Sequence, residues 1–160
     1  MLFHLSIDAA DPRRVASVIA ELFGKDSAVT FFPPVSEGSW LALAGDDRNT
    51  MVEVYPRGTR LHEADGDADA YGVTDDAGSH PSATHFAMAS PLTQDGILAI
   101  AQREGWPAKY CKRGGMFGVI ELWIEGDRMV EVLTEEMQRE YLDTMRIANW
   151  QAVLAEGMPA

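Results

Sequence analysis

The sequence predicts an α+β fold of two βαβββ modules, with one more helix at its C-terminal end. Three observations carry that expectation. The order strand, helix, three strands can be read twice along the chain. The tetrapeptide "MVEV" closes both readings, in "TMVEVYP" around Glu53 and in "RMVEVLT" around Glu131. The spacings also agree. His4 and His85 lie 81 residues apart and the two glutamates 78, as an internal duplication with a small difference in loop length requires.

The first module, 1–56, opens with "FHLSI", where Phe3, Leu5 and Ile7 alternate with His4 and Ser6 at the two-residue period of a half-buried strand. A helix follows. Asp11 is a good N-cap, Pro12 suits the first helical position, and Val15, Val18, Ile19, Leu22 and Phe23 form an apolar stripe ending at Gly24. "AVTFF", stopped by Pro33 and Pro34, "SWLALA" and "TMVEVY" read as strands, with "GDDRN" turning between the last two. The stretch 57–83, rich in Gly, Asp and Ala, reads as an acidic linker.

The second module, 84–134, restarts with "THFAM", in which His85 stands among apolar neighbours as His4 does. Ser90, Pro91 and Thr93 offer helix-start chemistry, Gln94 to Glu104 reads as helix, and Gly105 is its predicted C-cap. "AKYC", "FGVIELWI" and "RMVEVL" are the next strands, the last two joined by a tight turn at Glu125, Gly126 and Asp127. Residues 135–160 read as a helix capped by Thr134, with Met137, Tyr141, Met145 and Ala148 along one face and Leu142 and Val153 beside it. Such a stripe is core or an oligomer contact and is assigned no chemistry.

Composition narrows the function classes. At 160 residues and 46% hydrophobic, the chain suffices for one globular domain or two small units sharing a core. A formal net charge of −12, with acids clustered in "HEADGDADAYGVTDD", repels nucleic acid and anionic lipid. No apolar run approaches the roughly 18 residues a membrane span needs, and "MLFHLSIDAADPRR" lacks the form of a secretory signal. The single cysteine, Cys111, excludes an intrachain disulfide and reads as an ordinary structural thiol in a reducing compartment, so a cytoplasmic location is expected.

A glutamate inside an apolar strand needs a reason, because a buried unpaired carboxylate costs several kcal/mol. Strand alternation supplies one. On "MVEV" the valines face one way, while Met51, Glu53 and Tyr55 face the other, and Val130 and Val132 stand likewise against Glu131. His4 and His85 take the same non-helical side of their strands. With sheets curved around a cleft, His4, Glu53, His85 and Glu131 would form a neutral shell around one divalent cation, of the borderline kind: Zn, Ni, Co, Mn or Fe.

Paired βαβββ modules with a histidine on the first strand and a glutamate on the last resemble the vicinal oxygen chelate superfamily, which includes glyoxalases, bleomycin-resistance proteins and dioxygenases. The resemblance runs to about Thr134. The His, Glu, His, Glu order is most similar to glyoxalase I, since other branches typically use two histidines and one glutamate. The resemblance implies a metal-dependent lyase or isomerase acting on a small oxygenated substrate, with Glu53 or Glu131 as the base. It also implies a homodimer. The chain departs from the family in its first helix, "DPRRVASVIAELFG", in its long inter-module segment and in its terminal helix.

Two other readings stay open at this level: a metal-free protein that binds a drug-like molecule in the same cleft, and an extradiol-type dioxygenase. Trp40, Tyr55 and Trp123 are candidate substrate contacts, as are Lys109, Lys112 and Arg113 of the basic stretch "KYCKRGG" for an anionic group. The alternative for each is packing or a solubilising charge. Glu121 is a further pocket candidate. His62 and His80, among Glu63, Asp65, Asp67 and Asp69, read as members of a solvated loop.

Overall fold

The computed structural model describes residues 4–31, 37–47, 49–62, 71–74, 85–113, 115–146, 148–149 and 151–152. The chain divides into two units, Met1–Pro81 and Ser82–Ala160.

In the first unit the order is β1 (His4–Ala9), α1 (Pro12–Phe23), β2 (Ala28–Phe31), β3 (Trp40–Leu43), β4 (Met51–Pro56), β5 (Thr59–His62) and β6 (Tyr71–Thr74). The first four strands make a mixed sheet in the order β1-β4-β3-β2, parallel only where the first strand meets the last. Asp11 caps α1 by accepting from the Arg14 N–H at 3.0 Å, Pro12 sits in the first turn, and Gly24 closes the helix at φ 106°. Its stripe of Val15, Val18, Ile19 and Leu22 is buried together with Ile7, Val52 and Val54. Alternation along β1 and β4 therefore sends Leu5, Ile7, Val52 and Val54 to the helix side, and His4, Ser6, Met51, Glu53 and Tyr55 to the opposite face, open in the sense that α1 does not cover it, although Glu53 and Tyr55 are buried there.

The second unit repeats the plan with β7 (Phe86–Ala89), α2 (Gln94–Glu104), β8 (Ala108–Arg113), β9 (Phe117–Ile124) and β10 (Arg128–Leu133) in the sheet order β7-β10-β9-β8. Thr93 caps α2 through the Gly96 N–H, and Gly105 ends it in the left-handed region at φ 73°. Ile97, Ile100 and Ala101 are buried along with Ile120, Leu122, Val130 and Val132. Glu125 and Gly126, at φ 50° and 84°, make the tight β9–β10 turn. The closing helix α3 (Glu135–Thr144) starts at Thr134 and is tied to β9 by Glu140, which accepts the Gly118 N–H at 2.7 Å. Its Tyr141 ring meets Phe117 edge-on at 5.1 Å.

The structure departs from the sequence reading in three places. The segment 57–83 is not simply a linker: β5 and β6 pair within it as an antiparallel ribbon, Thr59 opposite Thr74, with the His62 ring stacked on Tyr71 at 5.5 Å. Threonine, tyrosine and valine at alternating positions outweigh the surrounding Gly and Asp there. His80, Glu63, Asp65, Asp67 and Asp69 lie outside the described residues. The terminal helix is interrupted: α3 ends at Thr144, and the helical positions 148–149 and 151–152 follow a bend, with the Asn149 amide donating to the Asp143 carbonyl at 2.7 Å. Among the described residues of its predicted stripe only Met137 is buried, while Leu142 and Met145 are exposed. Val153 lies outside the described residues. Finally, the strand read in "AKYC" runs on through Lys112 to Arg113, which fixes the direction of each of these side chains.

Candidate functional site

In the first unit the parallel pairing of first and last strand brings His4 and Glu53 to the open face; in the second it brings Glu131 there, and His85 stands one residue before β7 begins. In the first unit His4 lies opposite Met51 and Ser6 opposite Glu53. In the second, Ala87 lies opposite Glu131, and His85 precedes Ala87 by two residues, as His4 precedes Ser6. Both histidines are exposed. Within neither unit do three or more described His, Cys, Asp or Glu side chains come near enough to share one ion.

The surroundings of the two glutamates differ. Glu53 is 8% exposed, and its Oε2 accepts from the Ser6 hydroxyl at 2.7 Å and the Tyr55 hydroxyl at 2.9 Å. Among the described residues no lysine or arginine pairs with it. The neutral hydroxyls orient the carboxylate without cancelling its charge, an expensive arrangement for a buried acid. Burial, the hydrogen bond to Glu53 and the charge of Glu53 together push the Tyr55 phenol up to about 12. Sequence reasoning missed Ser6, although alternation and the His4 position place it on the same face.

Glu131 carries its compensation with it. Arg113 donates to its Oε1 from Nε at 3.0 Å and from Nη2 at 2.6 Å, and the third nitrogen, Nη1, lies 2.6 Å from Glu121 Oε1. Glu121 stands directly opposite Glu131 across β9 and β10, and Lys109 Nζ approaches its other oxygen at 3.4 Å. Burial alone would raise the Glu121 carboxyl, but Arg113 and Lys109 outweigh it and hold the group below the usual carboxylate range. The bonds to Glu131 and Glu121 raise the Arg113 guanidinium despite its own burial. Two acids and two bases form an ion-paired quartet on this face.

The remaining predicted contacts separate by strand parity. Trp123 lies opposite Met129, on the open face with Glu121 and Glu131, and so do Lys109 and Arg113. Lys112 points the other way and pairs with Glu140 at 3.3 Å. Trp40 is not a counterpart of Trp123. It lies opposite Val54 on the helix side, with the Arg13 guanidinium 5.1 Å from its ring centroid, so it is removed from the face that carries Glu53. The register makes Trp40 equivalent to Ile120 and Trp123 to Leu43, a shift of three positions that reverses the face. Tyr55 does reach the open face, where its hydroxyl is engaged by Glu53.

The Tyr55 bond has a signature in alkali. Because its folded value stands above the unfolded 10.0, the stabilisation is intact below pH 10 and is lost as pH climbs through about 12. Between those limits the wild type should lose roughly 2 kcal/mol more unfolding free energy than Tyr55→Phe. Denaturant titrations of the two proteins at matched pH check this; parallel curves would refute the coupling.

No family model matches the chain, and no curated protein matches it by sequence. Solved structures do match by shape. The trypanothione-dependent glyoxalase I of Leishmania major is 16% identical over 98% of this chain and 97% of its own, with a TM-score of 0.53. The fosfomycin resistance protein FosX of Mesorhizobium loti is 13% identical over 87% of this chain and 95% of its own, with a TM-score of 0.52. FosX of Listeria monocytogenes, solved with Mn(II) and sulfate, is 11% identical over 89% and 96%, with a TM-score of 0.54. The fold is that of the vicinal oxygen chelate proteins.

Proposed function

We propose that the protein is a divalent-metal-dependent lyase or isomerase of the glyoxalase kind, acting on a small oxygenated substrate. One observation carries the reading: Glu53 is buried, oriented by two hydroxyls and left without a cationic partner among the described residues, on the same face as the imidazole of His4. A cation there would offset the burial cost of the acid. Two imidazoles and two carboxylates, those of His4, Glu53, His85 and Glu131, are a donor set whose chemistry suits a borderline divalent ion. Glu131 remains compatible because both bonds from Arg113 fall on a single oxygen.

When bound, such an ion supplies Lewis acidity toward adjacent substrate oxygens. The chain's own work is proton transfer and positioning. A carboxylate of Glu53 or Glu131 takes a proton from one substrate carbon and returns it to the neighbouring carbon. Ser6 and Tyr55 keep Glu53 aimed, Trp123 offers an apolar wall, and Lys109 and Arg113 meet an anionic group of the substrate. The reading includes a homodimer working in the cytoplasm, where Cys111 stays a free thiol.

A second reading, a metal-free binder of small drug-like molecules, is favoured by the Arg113 fork on Glu131, since a guanidinium already neutralises that acid. Metal analysis of the purified protein separates the two. Stoichiometric divalent metal that is lost in His4→Ala and His85→Ala supports the enzyme. Metal-free protein that does not take up Mn(II), Zn(II), Ni(II), Co(II) or Fe(II) on dialysis supports the binder.

A further inference from the structure

The two open faces are built on one register but differ in what neutralises the glutamate. Opposite Glu53 stand Ser6 and Leu41; opposite Glu131, at the matching places, stand Ala87 and Glu121. The second unit thus lacks the hydroxyl at the position of Ser6 and gains a second acid. Two carboxylates directly opposed on neighbouring strands repel each other unless a cation stands between them. Arg113 is that cation: one planar guanidinium spans both acids, with its side chain 35% exposed and theirs 10% and 13%.

We infer that Arg113 holds the cation place at Glu131, and that a divalent ion reaches this carboxylate only by displacing the guanidinium, so that Arg113 limits the protein's affinity for metal. The inference rests on the metal-dependent reading above. Displacement is feasible for three reasons. Glu131 is bound by Arg113 through Oε1 alone. Arg113 has a second carboxylate, Glu121, on which to remain. The face stays electrically balanced because Lys109 also pairs with Glu121. The first unit has no such competitor at Glu53 among its described residues, so the two glutamates would respond to metal unequally, Glu131 only at the expense of an ion pair.

The test is titration of the metal-free wild type, Arg113→Gln, Arg113→Lys and Lys109→Gln with Mn(II) and, separately, Zn(II), followed by calorimetry and by thermal melting with and without metal. Arg113→Gln should bind about tenfold more tightly than wild type, the scale of one charged fork lost as competitor. Its melting temperature should rise more on adding metal than that of wild type. Arg113→Lys keeps the charge without the fork and should fall between the two. Lys109→Gln removes an equal charge that does not touch Glu131, and should change affinity by less than threefold. If Arg113→Gln matches or weakens wild-type affinity while His4→Ala abolishes binding, the role of Arg113 is overturned and the metal reading stands. If neither wild type nor Arg113→Gln takes up either ion, both fall. Should Arg113→Gln fail to fold, Arg113→Lys decides: a gain of several-fold supports displacement, and an unchanged constant overturns it.

Discussion

Glu53→Gln should lower divalent-metal affinity by at least about a hundredfold, and activity with it, while leaving metal-free stability equal to or above that of wild type. The two effects part because the side chain has two jobs. As an anion, Glu53 is the most deeply placed of the four candidate ligands, at 8% exposure, and outer partners of a ligand alone are typically worth 10- to 100-fold in affinity, so loss of the ligand itself costs at least that upper value. As a hydrogen-bond acceptor it serves the Ser6 and Tyr55 hydroxyls, and the amide oxygen of glutamine can do the same. Removing a buried charge whose described partners are neutral therefore relieves the metal-free fold rather than damaging it. Metal titration and thermal melting of the metal-free protein check the two halves. Wild-type affinity in Glu53→Gln would remove Glu53 from the site; a large drop in metal-free melting temperature would mean that its charge is compensated after all.

The largest effect on stability is expected far from that face, at Gly45→Ala. Gly45 follows β3 with φ +74°, and a Cβ built there meets the backbone carbonyl of Asp26, whose carbon would lie 2.7 Å away. The obstacle is main chain, at the end of the sheet where the α1–β2 and β3–β4 connections pass, so it cannot swing aside as a side chain would. Positive-φ strain of about 1 kcal/mol and the clash together should cost roughly 3 kcal/mol, or a fall of about 10 °C in melting temperature. Gly126→Ala is the control. Gly126 has a similar φ of +84° but nothing within 4 Å of the added carbon, so only the strain remains. Equal losses in the two variants would show that the contact with Asp26 is absorbed at no cost.

Much of the fold was legible because its signals are local. Asp11 and Pro12 start α1, Gly24 ends it, and Thr93 and Gly105 bound α2, all through backbone groups within a few residues of each cap. The alternation in "MVEV" likewise places Glu53 and Glu131 away from their valines, since a strand allows only two directions. The β5–β6 ribbon was missed because each of its strands is four residues long and an acidic, glycine-containing stretch separates them; the signal is the pairing itself. Trp40 and Trp123, which stand on equivalent strands, part for a related reason. Both occupy late strands, but facing direction depends on parity within the register, and an odd offset puts one under α1 and the other beside Glu131.

The sequence by itself determined the duplicated βαβββ order, the helix ends and the side of each strand on which His4 and the two glutamates stand, because caps and strand period act over a handful of residues. Only the tertiary structure decided what each acid meets there. Ser6 reaches Glu53 across 47 positions of sequence, and Arg113 reaches Glu131 across 18. Charge compensation depends on distance in space, and strand pairing, not chain order, sets that distance.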